Sequence, residues 1–184
     1  AWVYLNSYTN YNLVTSFTDA SDGSAAGSSV FGTIISTGRM YAEHGTTGYG
    51  GTTAQPLVPL KTWTHVAWVR KSGVLTMFAN GEPGKSLSFN FTLQNGSTSS
   101  WSRIGLGRPG GGNYFDGFIS NLRVVVGDVV QTYYNSINIL PPTSSLATIT
   151  NTSLLTLQSS TFIDNSTNNA TLTVSGNTNL QSIT

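Results

Sequence analysis

Apolar and polar residues alternate in this chain over short runs, and turn-forming residues cut each run before a helix could complete itself. The pattern is plainest at Trp63-Thr64-His65-Val66-Ala67-Trp68-Val69-Arg70-Lys71 and at Val74-Leu75-Thr76-Met77-Phe78-Ala79, joined by Ser72-Gly73. Asn80-Gly81 follows at once, and both residues tolerate the positive φ of a tight hairpin. Apolar residues do not recur at three- and four-residue spacing over any useful window, so the expectation is all-β, a sandwich or barrel. Strands are predicted at 1–7, 13–18, 30–36, 39–43, 63–71, 74–79, 86–93, 101–106, 114–126, 153–158, 161–164 and 170–175. Gly117 is the expected kink in the long segment, and 19–29, 44–55 and 107–113 read as loops. Residues 135–152, rich in Asn, Pro, Ser and Thr, are the best linker candidate, though no clear domain boundary appears.

Composition decides whether such strands can pack. A chain of 184 residues, 38% hydrophobic and 11% aromatic, has the material for one core without disulfides, and it has no cysteine. Charged residues make up 8%, against a usual share of about 25%. The net charge of +1, with only Arg70-Lys71 adjacent, argues against a nucleic-acid binder. No run of about 18 apolar residues could form a membrane-spanning helix, so membrane insertion is not expected. The sequence opens on Ala1-Trp2-Val3-Tyr4-Leu5, already in strand pattern, which suggests a piece of a longer protein.

Four ordered segments resemble the concanavalin A-like, or laminin-G-like, jelly-roll superfamily: Trp2-Val3-Tyr4, the run from Leu60 to Arg70, the run from Leu75 to Asn80-Gly81, and Ile104-Gly105 followed by Phe115 to Val124. The resemblance covers about the first two-thirds of the chain and implies an antiparallel two-sheet jelly-roll β-sandwich. The tail, with Pro141-Pro142, Leu154-Leu155 and Phe162-Ile163-Asp164-Asn165-Ser166-Thr167-Asn168-Asn169, resembles repeat units of large structural proteins of tailed phages. In many members of that family such a tail comes first in the module. Residues 153–184 therefore either close this domain or begin a following repeat. Partners implied by the resemblance are other copies or modules of the same surface assembly, on a virion or outside the cell.

The superfamily includes glycoside hydrolases, which place paired carboxylates close together on one strand. The only glutamates, Glu43 and Glu82, are far apart, and no two of the five aspartates alternate on one strand, so no catalytic residue is assigned and no enzyme is expected. No Gly-x-Ser-x-Gly elbow accompanies His44 or His65; the first reads as a solvated loop residue and the second as a hydrogen-bonded strand histidine. The Gly107 to Tyr114 loop lacks the Gly-Lys-Ser/Thr ending of a phosphate cradle. Calcium is the cofactor candidate, because hard cations want clustered oxygens; Asp19, Asp22 and Asp116 are its candidate ligands. For sugar contact the candidates are Asn113 and Tyr114 on the glycine-rich loop, with Tyr41, Tyr49 and Trp101. The expected function is a virion-surface or tail-fibre-type module displaying loops to host glycans or receptors. The alternatives are a purely architectural module and, behind both, a glucanase-type hydrolase.

Overall fold

A computed structural model describes residues 1–18, 29–44, 47–90, 101–106, 113–127 and 138–181, without the side chains of 17, 18, 29–31 and 101. Its strands are β1 (Trp2–Leu5), β2 (Tyr11–Leu13), β3 (Thr15–Thr18), β4 (Ser29–Ile35), β5 (Met40–His44), β6 (Thr47–Gly50) and β7 (Thr64–Lys71). They continue with β8 (Val74–Ala79), β9 (Glu82–Pro83), β10 (Leu87–Ser88), β11 (Trp101–Ile104), β12 (Gly117–Ser120), β13 (Leu122–Val125) and β14 (Thr152–Thr156). One sheet runs β10-β8-β7-β1-β12, with β9 on β8; the other runs β11-β3-β4-β5-β6, with β2 on β4. β13 and β14 form a separate antiparallel pair. All the pairings between these strands are antiparallel.

Side-chain alternation sorts each strand into an inner and an outer face. Val3 and Leu5 of β1, Val66 of β7 and Leu75, Met77 and Ala79 of β8 point into one core. Ile34, Met40 and Ala42 meet them from the other sheet, so the two sheets close over a shared apolar layer. Trp68 crosses that layer: its indole Nε1 donates to the Tyr41 carbonyl at 3.1 Å. Trp68→Phe is expected to cost about 1 kcal/mol, the net worth of one such bond, read as a lower midpoint in urea unfolding.

Hairpins fall where the turn residues set them. Ser72 and Gly73 take φ of 49° and 75°, and Asn80 and Gly81 take 50° and 90°. Two positive φ values in a two-residue loop match the twist of the strands they join.

Several elements depart from the sequence reading. β6 lies inside the 44–55 loop, paired to β5 from Tyr41↔Gly50 to His44↔Thr47. The long segment breaks at Asn121, whose φ is 55°, and Gly117 instead begins β12. A Cβ at Gly117 would collide with the Tyr4 carbonyl, so this glycine serves close approach of β12 to β1. Of the 86–93 strand only Leu87–Ser88 pairs, and 91–93 lie outside the described residues. Residues 161–164 and 170–175 form no strand.

The described part of the linker candidate, 138–152, is fastened to the sandwich. Ile139 is buried and its N–H donates to the Gly81 carbonyl at 3.1 Å. Further on, Asn121 Nδ2 donates to the Ser144 carbonyl at 3.4 Å, and the Leu146 N–H donates to Asn121 Oδ1 at 2.9 Å. The strap thus spans from the β8–β9 turn to the β12–β13 junction, and the chain returns as β14, with Leu155 and Thr156 buried.

Candidate functional site

The glycine-rich loop is anchored at its described ends. Tyr114 bridges Leu106, and the Phe115 N–H donates to the Gly105 carbonyl at 2.9 Å. Phe115 packs against the core, while its neighbour Tyr114 is 60% exposed. Asn113 beside it is half-buried, and residues 107–112 lie outside the described set.

Asp116, the next residue, is tied to the start of the chain. Its carboxylate accepts from Asn6 Nδ2 at 3.3 Å and from Ser7 Oγ, and its N–H donates to Asn12 Oδ1 at 3.2 Å. These bonds clip the end of β1 and the approach to β2 against the approach to β12. Asp19 and Asp22 lie outside the described residues. Among the described residues no three of His, Asp and Glu gather as a metal-holding group.

The remaining aromatic candidates point different ways. Tyr41 alternates with core residues Met40 and Ala42, so it stands on the outer face of its sheet. There its ring centroid lies 5.9 Å from that of Tyr11 and it covers Gly48, where any side chain would strike the Tyr41 hydroxyl. Burial, and then the Glu43 carboxylate, push the Tyr41 phenol up to about 12, so it stays a neutral donor at any ordinary pH. Tyr49 pairs with Ala42 and turns the other way, edge-on to buried Phe89 at 4.8 Å. Trp101 stands at the start of β11, opposite Thr18, and its side chain is outside the described set. Tyr41 and Tyr49, on opposite faces, do not converge on one site.

Both histidines are strand residues, so His65 lies where the sequence put it and His44 is not the solvated loop residue expected. His44 ends β5 half-buried, edge-on to Phe89 at 6.4 Å. His65 is 5% exposed, on the outer face of its sheet, with Trp2 edge-on at 5.5 Å. Its Nδ1 is buried with no partner among the described residues. Burial pushes the imidazole down to about 3.

The sequence reading missed one concavity altogether. On that same outer face, a groove of about 450 Å³ is lined by Trp2, Ser120, Asn121, Gln158 and the strap from Pro141 to Ser145. Trp2 and Ser120 are direct partners in the β1–β12 register. The other residues come from parts of the chain whose crossing no local pattern announces.

Two antiparallel sheets closing over one apolar layer define the class: a jelly-roll β-sandwich. The chain belongs to the concanavalin A-like lectin/glucanases superfamily, whose laminin G-like family model matches residues 1–127. Comparison with curated proteins gives no match, and comparison with solved structures gives none either.

Proposed function

We propose that this chain is a non-enzymatic module of a virion-surface or tail-fibre-type protein that attaches to host-surface glycans through its loops. The observation that carries the reading is Tyr114, an aromatic ring largely in solvent on a loop held at both ends to rigid strands. A stacking surface presented from a fixed frame is what sugar recognition at a rim requires. Asn113 beside it adds an amide for hydroxyl groups. The non-enzymatic part is supported by the placement of the glutamates: Glu43 lies on β5 and Glu82 on β9, in different sheets. On a glycan array the chain is expected to retain a defined subset of host glycans, with Tyr114→Ala reducing that signal about tenfold, on the order of one stacking contact. An array with no retained glycan, or a signal indifferent to Tyr114→Ala, removes the rim from the reading.

A purely architectural role is favoured by a different observation. Val126 is 65% exposed and Leu140 75%, and Phe118 on edge strand β12 is also exposed. Apolar side chains of this size suit contact with neighbouring copies or modules. Hydrogen exchange on the assembled particle separates the two: protection around these residues with Tyr114 left open supports both roles, and protection of Tyr114 as well leaves only the architectural one.

A further inference from the structure

Three side chains from distant parts of the sequence meet just past the end of β1. Lys61 Nζ donates to Asn6 Oδ1 at 3.1 Å, and Asn6 Nδ2 donates to Asp116 Oδ1 at 3.3 Å. The order is amine, amide, carboxylate. A lysine and an aspartate brought to one place ordinarily pair as ions, yet among the described residues no ion pair joins these two. The Asn6 side chain stands between them.

Main-chain bonds fix each of the three. Lys61 takes a φ of 58°, and its N–H donates to the Leu5 carbonyl at 2.9 Å. The Asn6 N–H donates to the Asp116 carbonyl at 2.8 Å. The Asp116 N–H donates at 3.2 Å to Oδ1 of fully buried Asn12, and the Asp116 carboxylate also accepts from Ser7 Oγ. The lysine stem therefore starts beside Asn6, and its nitrogen folds back onto the neighbouring amide. An amine and a carboxamide are sluggish partners in free solution, but holding them in contact turns a bimolecular encounter into an intramolecular one. Cγ lies one bond from the oxygen that Nζ already touches, so rotation about the lysine stem brings the nitrogen over that carbon. Asp116 touches the nitrogen that would have to leave.

We propose that Lys61 and Asn6 join in an isopeptide cross-link, with Asp116 as the proton carrier. Unprotonated Nζ attacks Asn6 Cγ, and a new C–N bond forms. The Asp116 carboxylate takes a proton from Nζ and hands it to Nδ2. The Cγ–Nδ2 bond then breaks and ammonia leaves. One amine and one carboxamide become one secondary amide and ammonia, with no oxidant and no cofactor. The bond ties the end of β1 to the segment before β7, in a chain that has no cysteine for a disulfide. Neither Tyr114 nor the exposed apolar residues take part, so the cross-link stands whatever the module attaches to.

Mass spectrometry of the whole folded chain, intact and after digestion, tests this. Only the free amine attacks, so incubation for several days at about pH 9 favours the step. The expected result is a mass lower by one ammonia, reached faster than at pH 7, and a cross-linked peptide joining Asn6 to Lys61. The same chain in urea should form no such peptide, because unfolding parts the three side chains. Asn80-Gly81 and Asn95-Gly96 can also shed ammonia by closing on their own backbone, so the peptide and a variant decide rather than the mass alone. Lys61→Arg keeps the charge at an exposed position and has no amine to give. It should abolish the cross-link while its thermal melt matches that of the parent before incubation. Asp116→Asn should slow cross-linking about a hundredfold, the scale of a positioned acid–base group. Should Asp116→Asn fail to fold, the parent and Lys61→Arg decide alone. A folded chain that yields no peptide joining Asn6 to Lys61 overturns the proposal and leaves the triad a hydrogen-bonded clip only. Ammonia loss undiminished in Lys61→Arg overturns it equally, and cross-linking undiminished in Asp116→Asn overturns the part given to Asp116.

Discussion

Asp164→Ala is expected to destabilise the chain by about 3 kcal/mol, from the loss of a buried, fully engaged carboxylate. Asp164 is 5% exposed. Its Oδ1 accepts from the Leu155 N–H at 3.0 Å and the Ser166 N–H at 2.8 Å. Its Oδ2 accepts from the Ser166 hydroxyl at 2.8 Å and the Ala170 N–H at 2.9 Å. Burial alone would raise the carboxyl's pKa, but these four bonds outweigh it and hold the group below the usual 3.8. Alanine removes the acceptor and leaves the donors behind, and each buried donor left without a partner costs about 1–3 kcal/mol. The costs do not simply add, because the residues after Ala170 are mostly exposed and their amides can turn to water. The Leu155 amide cannot do so cheaply, since it belongs to β14, where Leu155 packs in the interior. Urea unfolding at pH 7 measures the loss, and hydrogen exchange at Leu155 locates it: protection there should fall in the variant. An unchanged midpoint together with unchanged Leu155 exchange would show that the carboxylate is not what fastens the tail. The sign with pH follows from the depressed pKa. The contribution is present above the unfolded value near 3.8 and is lost as pH falls through the folded one.

The same aspartate illustrates what the sequence discloses. Asp164-Asn165-Ser166 reads locally as a turn, and it is one, but that its carboxylate reaches the amide of Leu155 depends on how β14 lies. Period-two alternation was enough to place β7 and β8, because both faces of those strands are committed, and Ser72-Gly73 and Asn80-Gly81 set their hairpins locally. Alternation failed where pairing, not pattern, makes the strand. Thr47-Gly48-Tyr49-Gly50 has almost no apolar signal and becomes β6 because β5 offers it an edge. Ala170 to Ser175 has the pattern and no strand partner among the described residues.

The candidate site shows the same divide. The parity of Tyr41 and Tyr49 about β5 and β6 sends one ring out and the other in, which composition cannot reveal. Asp116 reads as an available carboxylate, yet its donors Asn6 and Ser7 stand more than a hundred residues away in sequence. The groove draws on Trp2, Asn121, Pro141 and Gln158, brought together only by the path of the strap.

His65 is expected to make the fold weaker on acidification, contributing a loss of about 2 kcal/mol between pH 7 and pH 5 and about 3 kcal/mol by pH 4. The imidazole is buried against Trp2, and its Nδ1 has no acceptor among the described residues to receive a second proton. Protonation in place would charge a ring that burial has stripped of water, which is why the folded-state pKa drops to about 3 from the ordinary 6.5. In the unfolded chain the ring titrates near 6.5, so below that pH the unfolded state takes up a proton that the folded state refuses. Stability from neutral His65 is therefore complete above about pH 6.5, declines steadily below it, and stops declining near pH 3. Most of this window lies above that of Asp164, so between pH 6.5 and pH 4 the two can be read apart in one series of urea unfolding curves. His65→Gln, which cannot titrate, should make the decline between pH 6.5 and pH 4.5 shallower by the His65 share, about 2 kcal/mol, even if it lowers stability at neutral pH. Parallel pH profiles for the two proteins would mean that the acid sensitivity belongs elsewhere. A parallel measurement follows the ring itself: its proton resonances should not titrate while the protein stays folded, and should move only with the unfolding transition.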